Sequence, residues 1–132
     1  MRDLAQLRAE ASPQLHPRPV AIVALDDFAI PETLPAEALI GSFREAEGLT
    51  LYVDLAAAEA AGLRIAMRAA WITMTVNSAL DAVGFTAAFS LALAQAGVAC
   101  NVVAGARHDH IFAPWEQRQA AMAALLRLGA AS

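Results

Sequence analysis

Between Trp71 and Pro114 the chain reads as strand, helix, strand and polar tip, and this order limits the folds open to it. Ile72, Met74 and Val76 alternate with Trp71, Thr73 and Thr75, the period of a half-buried strand. Asn77-Ser-Ala-Leu-Asp81 follows as a helix start, with Ser78 as the expected N-cap and Asp81 three residues on. The next stretch carries almost no polar side chain until Gln95-Ala-Gly97, where a glycine can close a helix in the left-handed conformation. Val98 to Val103 reads as a second strand, and His108-Asp109-His110 closes the unit. A loop running from a strand into a helix leaves backbone N–H groups free to meet a small anion.

From Ala82 to Ala106 only Cys100 is ionisable, which by length alone suggests a membrane span. Gly97 and Asn101 interrupt the run and its second half turns β-like, so the reading is a buried helix, and no membrane partner is expected. A helix apolar on nearly every side needs cover from a sheet and from a second layer or subunit.

The chain has 132 residues, 58% of them hydrophobic and 17% charged, enough apolar surface for one core or two small joined ones. A net charge of −4 and nine scattered arginines with no basic stripe argue against nucleic acid. One cysteine forms no internal disulfide, which is compatible with the reducing cytoplasm expected as its location. The opening Met-Arg-Asp-Leu-Ala-Gln-Leu-Arg-Ala-Glu reads as an amphipathic helix over 2–11 and lacks the apolar run of a signal peptide.

Ser12 to Pro19 holds three prolines and is read as a connector. Val20 to Leu25 is expected as a strand, and Asp26 to Ile40 as an irregular loop with a helical turn near Ala36. Ser42 to Glu47 and Leu49 to Val53 read as two strands about Gly48, with Phe43, Leu49, Leu51 and Val53 inward. Asp54 caps a short alanine-rich helix that Gly62 ends, and Leu63 to Arg68 is a link or weak strand. A strand at 111–113 and a helix from Trp115 to Leu128, opened by Pro114, complete the list. The expected fold is α+β: two ferredoxin-like halves, mostly antiparallel, with helices on one face. The second half lacks one strand of that unit, which the other half can supply. The domains expected are a helix and linker over 1–19, a degenerate half over 20–68 and a complete half over 69–132. Expected core positions are Ile72, Met74, Val76, Leu91, Val98, Val102 and Ile111.

The run Thr75-Val-Asn-Ser-Ala-Leu-Asp-Ala-Val-Gly-Phe-Thr-Ala, then Leu-Ala-Gln-Ala-Gly-Val-Ala-Cys-Asn-Val-Val, resembles an ACT domain. With Glu45-Ala-Glu-Gly-Leu-Thr50 and His108-Asp-His-Ile-Phe-Ala-Pro114, the chain is similar to a family of small stand-alone tandem ACT proteins of unassigned function. Ala113 and Phe85 depart from the residues commoner there, and neither change touches a polar group. The resemblance implies two ACT-like halves and a role in binding an amino acid or other small ligand.

The residues proposed to hold that ligand are Asn77, Ser78, Asp81, Val83 and Gly84, facing Glu45, Glu47 and Gly48 of the other half. Each has a plainer reading. Asn77, Ser78 and Asp81 serve equally as turn and cap residues, Gly84 as a packing glycine, and the two glutamates as a solvated strand edge. His108 and His110 are weak metal candidates, since His16 is the only further histidine and no cysteine pair assists. No catalytic triad, phosphate loop or dinucleotide fingerprint occurs, so neither an enzyme nor a cofactor is expected. Two functions stay open: a small-molecule-binding regulatory module, or an interaction module that has lost its ligand. A homodimer is expected in either case, because the helix and the Trp71, Thr73 and Thr75 face both need cover.

Overall fold

The computed structural model describes residues 12–75 and 84–130, excepting the side chains of 129 and 130. They form two compact units, one of Pro17–Ala69 and one running on from Ala70 and joined by the segment ending at His16. The helix expected over 2–11 lies outside the described residues.

The first unit contains β2 (Val20–Ala24), β3 (Leu39–Arg44), β4 (Leu49–Asp54) and α1 (Leu55–Ala60), after a short strand β1 (Pro13–Leu15) that belongs to the other unit. Strand β5 (Ile65–Met74) serves both, its first half in one unit and its second half in the other. The strand order in the first unit is β3-β4-β2-β5, all antiparallel. This is the order of a βαββαβ unit in which the first crossover has lost its helix. A loop ending in a single 3₁₀ turn at Ala36–Ala38 takes that helix's place. Leu34, Ala38 and Ala58 close over Ala21, Val23, Leu51 and Val53 to make the core.

Local chemistry sets the ends of α1. Asp54 accepts from the Ala57 N–H at 3.3 Å, as an N-cap does, while Arg18 grips its two oxygens at 2.6 and 2.9 Å. Arg18 and the cap hold the Asp54 carboxyl below its ordinary range. At the other end Gly62 stands at φ +69, and the Leu63 and Gly62 N–H groups return to Ala58 and Glu59 O.

The second unit has α2 (Phe85–Gln95), β6 (Asn101–Ala104), β7 (Asp109–Pro114) and, after a 3₁₀ turn at Trp115–Gln117, α3 (Arg118–Ala130). Its strand order is β1-β5-β7-β6. The missing strand is therefore β1, drawn from the stretch read as a connector. Pro13 is tolerated there because its partner β5 can be paired without a proline N–H. Phe85, Phe89 and Leu93 of α2 and Ala121, Ala124, Leu125 and Leu128 of α3 pack on Ile72, Met74, Ile111 and Ala113. Both helices thus cover one sheet face. Val98 is buried and Val102 packs against the same core, whereas Val76 lies outside the described residues.

Three expectations are corrected. Leu91 is 58% exposed, because the buried stripe Phe85, Phe89, Leu93 turns it outward. For the same reason α2 is buried on one face and not all round. Phe43 is 67% exposed: Arg44 pairs with Leu49, so Phe43 falls opposite Thr50, on the face away from Leu51 and Val53. Of the two readings of 63–68, link or weak strand, the strand holds from Ile65, where β5 begins.

Candidate functional site

Helix α2 begins at Phe85, with Gly84 as its N-cap at φ +93 and no side-chain cap. The N-cap is therefore Gly84 and not Ser78. The first N–H groups of α2 receive no bond from an N-cap side chain, and the positive end of the helix dipole lies here. Asn77, Ser78, Asp81 and Val83 lie outside the described residues. Of the loop proposed to hold a ligand, only Gly84 is placed.

Glu45, Glu47 and Gly48 belong to the turn between β3 and β4, so the two glutamates do not share a strand face as their spacing suggested. Both are exposed. The Glu45 N–H donates to Gly48 O at 2.9 Å, and the Thr50 hydroxyl donates to the Glu45 carboxylate. Gly48 is buried at φ +150, and a Cβ there would lie 2.0 Å from Leu25 O. Its requirement is close backbone packing inside its own unit.

A polar cluster that the sequence did not single out as a unit occupies the second unit's sheet, on the face away from the helices. Trp71 and Thr73 leave β5 on that side, and His110 and Phe112 leave β7. His16, just past β1, donates its backbone N–H to Trp71 O at 2.9 Å and stacks on the Trp71 ring with centroids 3.6 Å apart. Its Nε2 lies 2.8 Å from Thr73 Oγ1. That hydroxyl is 3.1 Å from His110 Nδ1, to which the Trp71 indole N–H also donates at 3.0 Å. The Phe112 ring lies near-parallel to that of Trp71, with centroids 6.4 Å apart. Burial lowers the pKa of both imidazoles from the ordinary value; His110 acts further on His16, and His108 on His110, where Asp109 opposes. His108 precedes β7 and has a buried Nδ1 without a hydrogen bond. Among the described residues, no group of three or more His, Cys, Asp or Glu side chains is placed to hold a metal ion. The sequence offered His16 only as a third histidine, and its place in this cluster was not legible because its partner Thr73 is 57 residues away.

Cys100 is half-buried with Sγ 3.9 Å from Ser90 Oγ, and burial pushes its thiol up, the state of an unreactive cysteine. No helix among the described residues is long and apolar enough to cross a membrane.

Models of the ACT domain match residues 1–70 and 67–127. No curated protein matches the sequence. Among solved structures, a protein of unknown function from Vibrio cholerae, described as a possible transport protein, is 38% identical, with 96% of each chain covered and a TM-score of 0.83. A protein from Agobacterium tumefaciens is 14% identical over 90% of this chain and 89% of its own, with a TM-score of 0.74. The ligand-free regulatory subunit of aspartate kinase from Thermus thermophilus is 15% identical over 88% and 95%, with a TM-score of 0.61. The last two share the fold. Two matched halves, each with the βαββαβ strand order and helices on one sheet face, show that this chain belongs to the ACT-domain family, as a small tandem member.

Proposed function

We propose that the protein is a regulatory module that binds an amino acid or similar zwitterion. The observation that carries this reading is the start of α2 at a left-handed Gly84 with no side-chain cap, in a chain of two ACT domains. The N–H groups of the loop and first helical turn would take the carboxylate, as helix N-termini do for anions. Asn77, Ser78, Asp81 and Val83 are the proposed loop contacts, and Glu45 or Glu47 the proposed acceptor for the ammonium. Gly48 is withdrawn from the contacts, since its close approach to Leu25 O explains the glycine.

Thermal shift across the amino acids tests the reading: a ligand at about 100 times its Kd raises stability by about 2.7 kcal/mol. Gly84→Val is a poor probe, because a β-branched residue at φ +93 strains the helix start whatever the ligand does. Ser78→Ala and Glu45→Gln are cleaner, and each should weaken binding while leaving the ligand-free melting temperature nearly unchanged. Weakening by neither variant would remove these contacts from the proposal.

The interaction-module reading is favoured by one observation, the large apolar side chains Leu91 and Leu126, each 58% exposed on α2 and α3. We propose a homodimer of modest affinity, whether or not a ligand is bound. Light scattering at high micromolar concentration should give twice the chain mass, and a strict monomer would contradict it.

A further inference from the structure

Trp71, His110, Thr73 and His16 form a hydrogen-bonded chain whose first link has only one possible direction. An indole N–H donates and never accepts, so Trp71 fixes His110 Nδ1 as an acceptor. The Thr73 hydroxyl lies 3.1 Å from the same nitrogen, whose single lone pair the indole N–H already engages. It also lies 2.8 Å from His16 Nε2, so the Thr73 hydroxyl bridges the two imidazoles. His110 is therefore neutral, with its proton on Nε2. Thr73 is 7% exposed and the rest are half-buried, so water replaces these bonds poorly.

A proton on His110 Nδ1 breaks this order. Thr73 can rotate and accept from both imidazoles, but Trp71 cannot, and its N–H is left facing a cation. Two charged rings on one hydroxyl also repel when His16 titrates. We propose that the chain is an acid-sensitive latch that holds β1 on β5 while His110 is neutral and lets go when it is protonated. The latch lies at the C-terminal end of β1, while the Thr75 N–H and hydroxyl hold Ser12 O at the other end, at 3.0 and 2.8 Å. The strand is three residues long, and on this face its hold ends at His16, through the Trp71 stack, the Thr73 bond and one backbone bond to Trp71 O.

The surrounding charges fit this sense. On β7, Asp109 draws His110 toward the charged form, and burial together with His108 outweighs it. The turn before β7 adds Arg107, a further cation, and β6 carries no titratable side chain. Just past β1, His16 is the titratable group, and β5 carries none beyond Arg68, which pairs with Glu59. Helix α3 packs on the core side through residues that meet Leu15, and its charged groups are Arg118, turned onto Trp115 O, and Arg127. The folded His110 and His16 values lie below the ordinary 6.5, so the latch is fully closed above that value. It is lost as pH falls from there through the lowered folded values.

Amide hydrogen exchange on the intact chain reads the latch. Between about pH 7.5 and about pH 5, protection of the Gln14 and His16 amides should fall about tenfold more than that of Ile111, after correction for intrinsic rates. In His110→Asn, whose amide oxygen keeps the acceptor near Nδ1 and does not titrate, this selective loss should vanish. A constant ratio in the wild type, or the same loss in His110→Asn, would overturn the proposal. The wild-type NMR spectrum gives a second test independent of any variant. His110 should titrate below 6.5 from the Nε2–H tautomer, with the Trp71 Nε1–H resonance shifting in step; a charged His110 with that resonance unmoved would equally refute it.

Discussion

Gly48→Ala should cost about 3 kcal/mol or more, the sum of backbone strain at positive φ and a clash that cannot relax. The new Cβ would lie 2.0 Å from Leu25 O and 2.9 Å from Leu25 C. Those atoms are not the ends of flexible side chains. The Leu25 N–H is bonded to Leu49 O, and the Leu49 N–H to Asp27 O, so the hairpin and the strand end are pinned together at this point. Gly62→Ala and Gly97→Ala are the controls: both stand at positive φ, +69 and +74, with nothing within 4 Å of a Cβ. Each should cost only about 1 kcal/mol, for the left-handed backbone alone. Chemical denaturation followed by circular dichroism measures all three. A Gly48→Ala protein no less stable than the two controls would show that the close approach at Leu25 is wrong.

Phe89→Ala should destabilise by about 3 to 5 kcal/mol, the usual cost of emptying a large buried aromatic site. Phe89 is fully buried, sits edge-on to Phe85 with ring centroids 5.4 Å apart, and belongs to the core shared by α2, α3, β5 and β7. Two turns of helix are thereby held to the sheet by one contiguous patch. Leu91→Ala, two residues along, should change stability by no more than about 0.5 kcal/mol, because Leu91 already faces solvent. Denaturation monitored by the fluorescence of Trp71 and Trp115 gives both values. Equal losses at 89 and 91 would mean that the helix is rotated from the orientation described.

Sequence pattern served well wherever one residue type leaves a single structural choice. Ile72 and Met74 alternate with Trp71 and Thr73, and the alternation put the right pair in the core. Asp54, Gly62 and Gly97 marked helix ends because their side chains, or the lack of one, solve a specific backbone problem. Gly97 completes the motif in full, with the Val98 N–H returning to Leu93 O and both side chains in the core. The pattern failed where alanine blurs it. In Phe85 to Gln95 every face is apolar enough to be buried, so only the spacing of the two phenylalanines with Leu93 distinguishes the inner side. It failed again at Phe43, where a turn three residues longer than read moved the side chain across the sheet. Strand β1 was illegible because three residues that begin with a proline are too short to carry a period, and only pairing to β5 makes them a strand. The site was read from a loop whose residues, Gly84 excepted, lie outside the described ones. The histidine cluster depends on contacts across 37 and 57 residues that no local motif encodes.

Binding of an amino acid by this tandem ACT protein is measured by isothermal titration calorimetry of the wild-type chain against the full set of amino acids. One amino acid, or a small group of similar shape, should give saturable heat. The same compounds should raise the melting temperature, and Ser78→Ala should weaken both effects. Absence of heat and of any melting shift across the whole set would contradict such binding, and the start of α2 would then be a helix end with no ligand to hold.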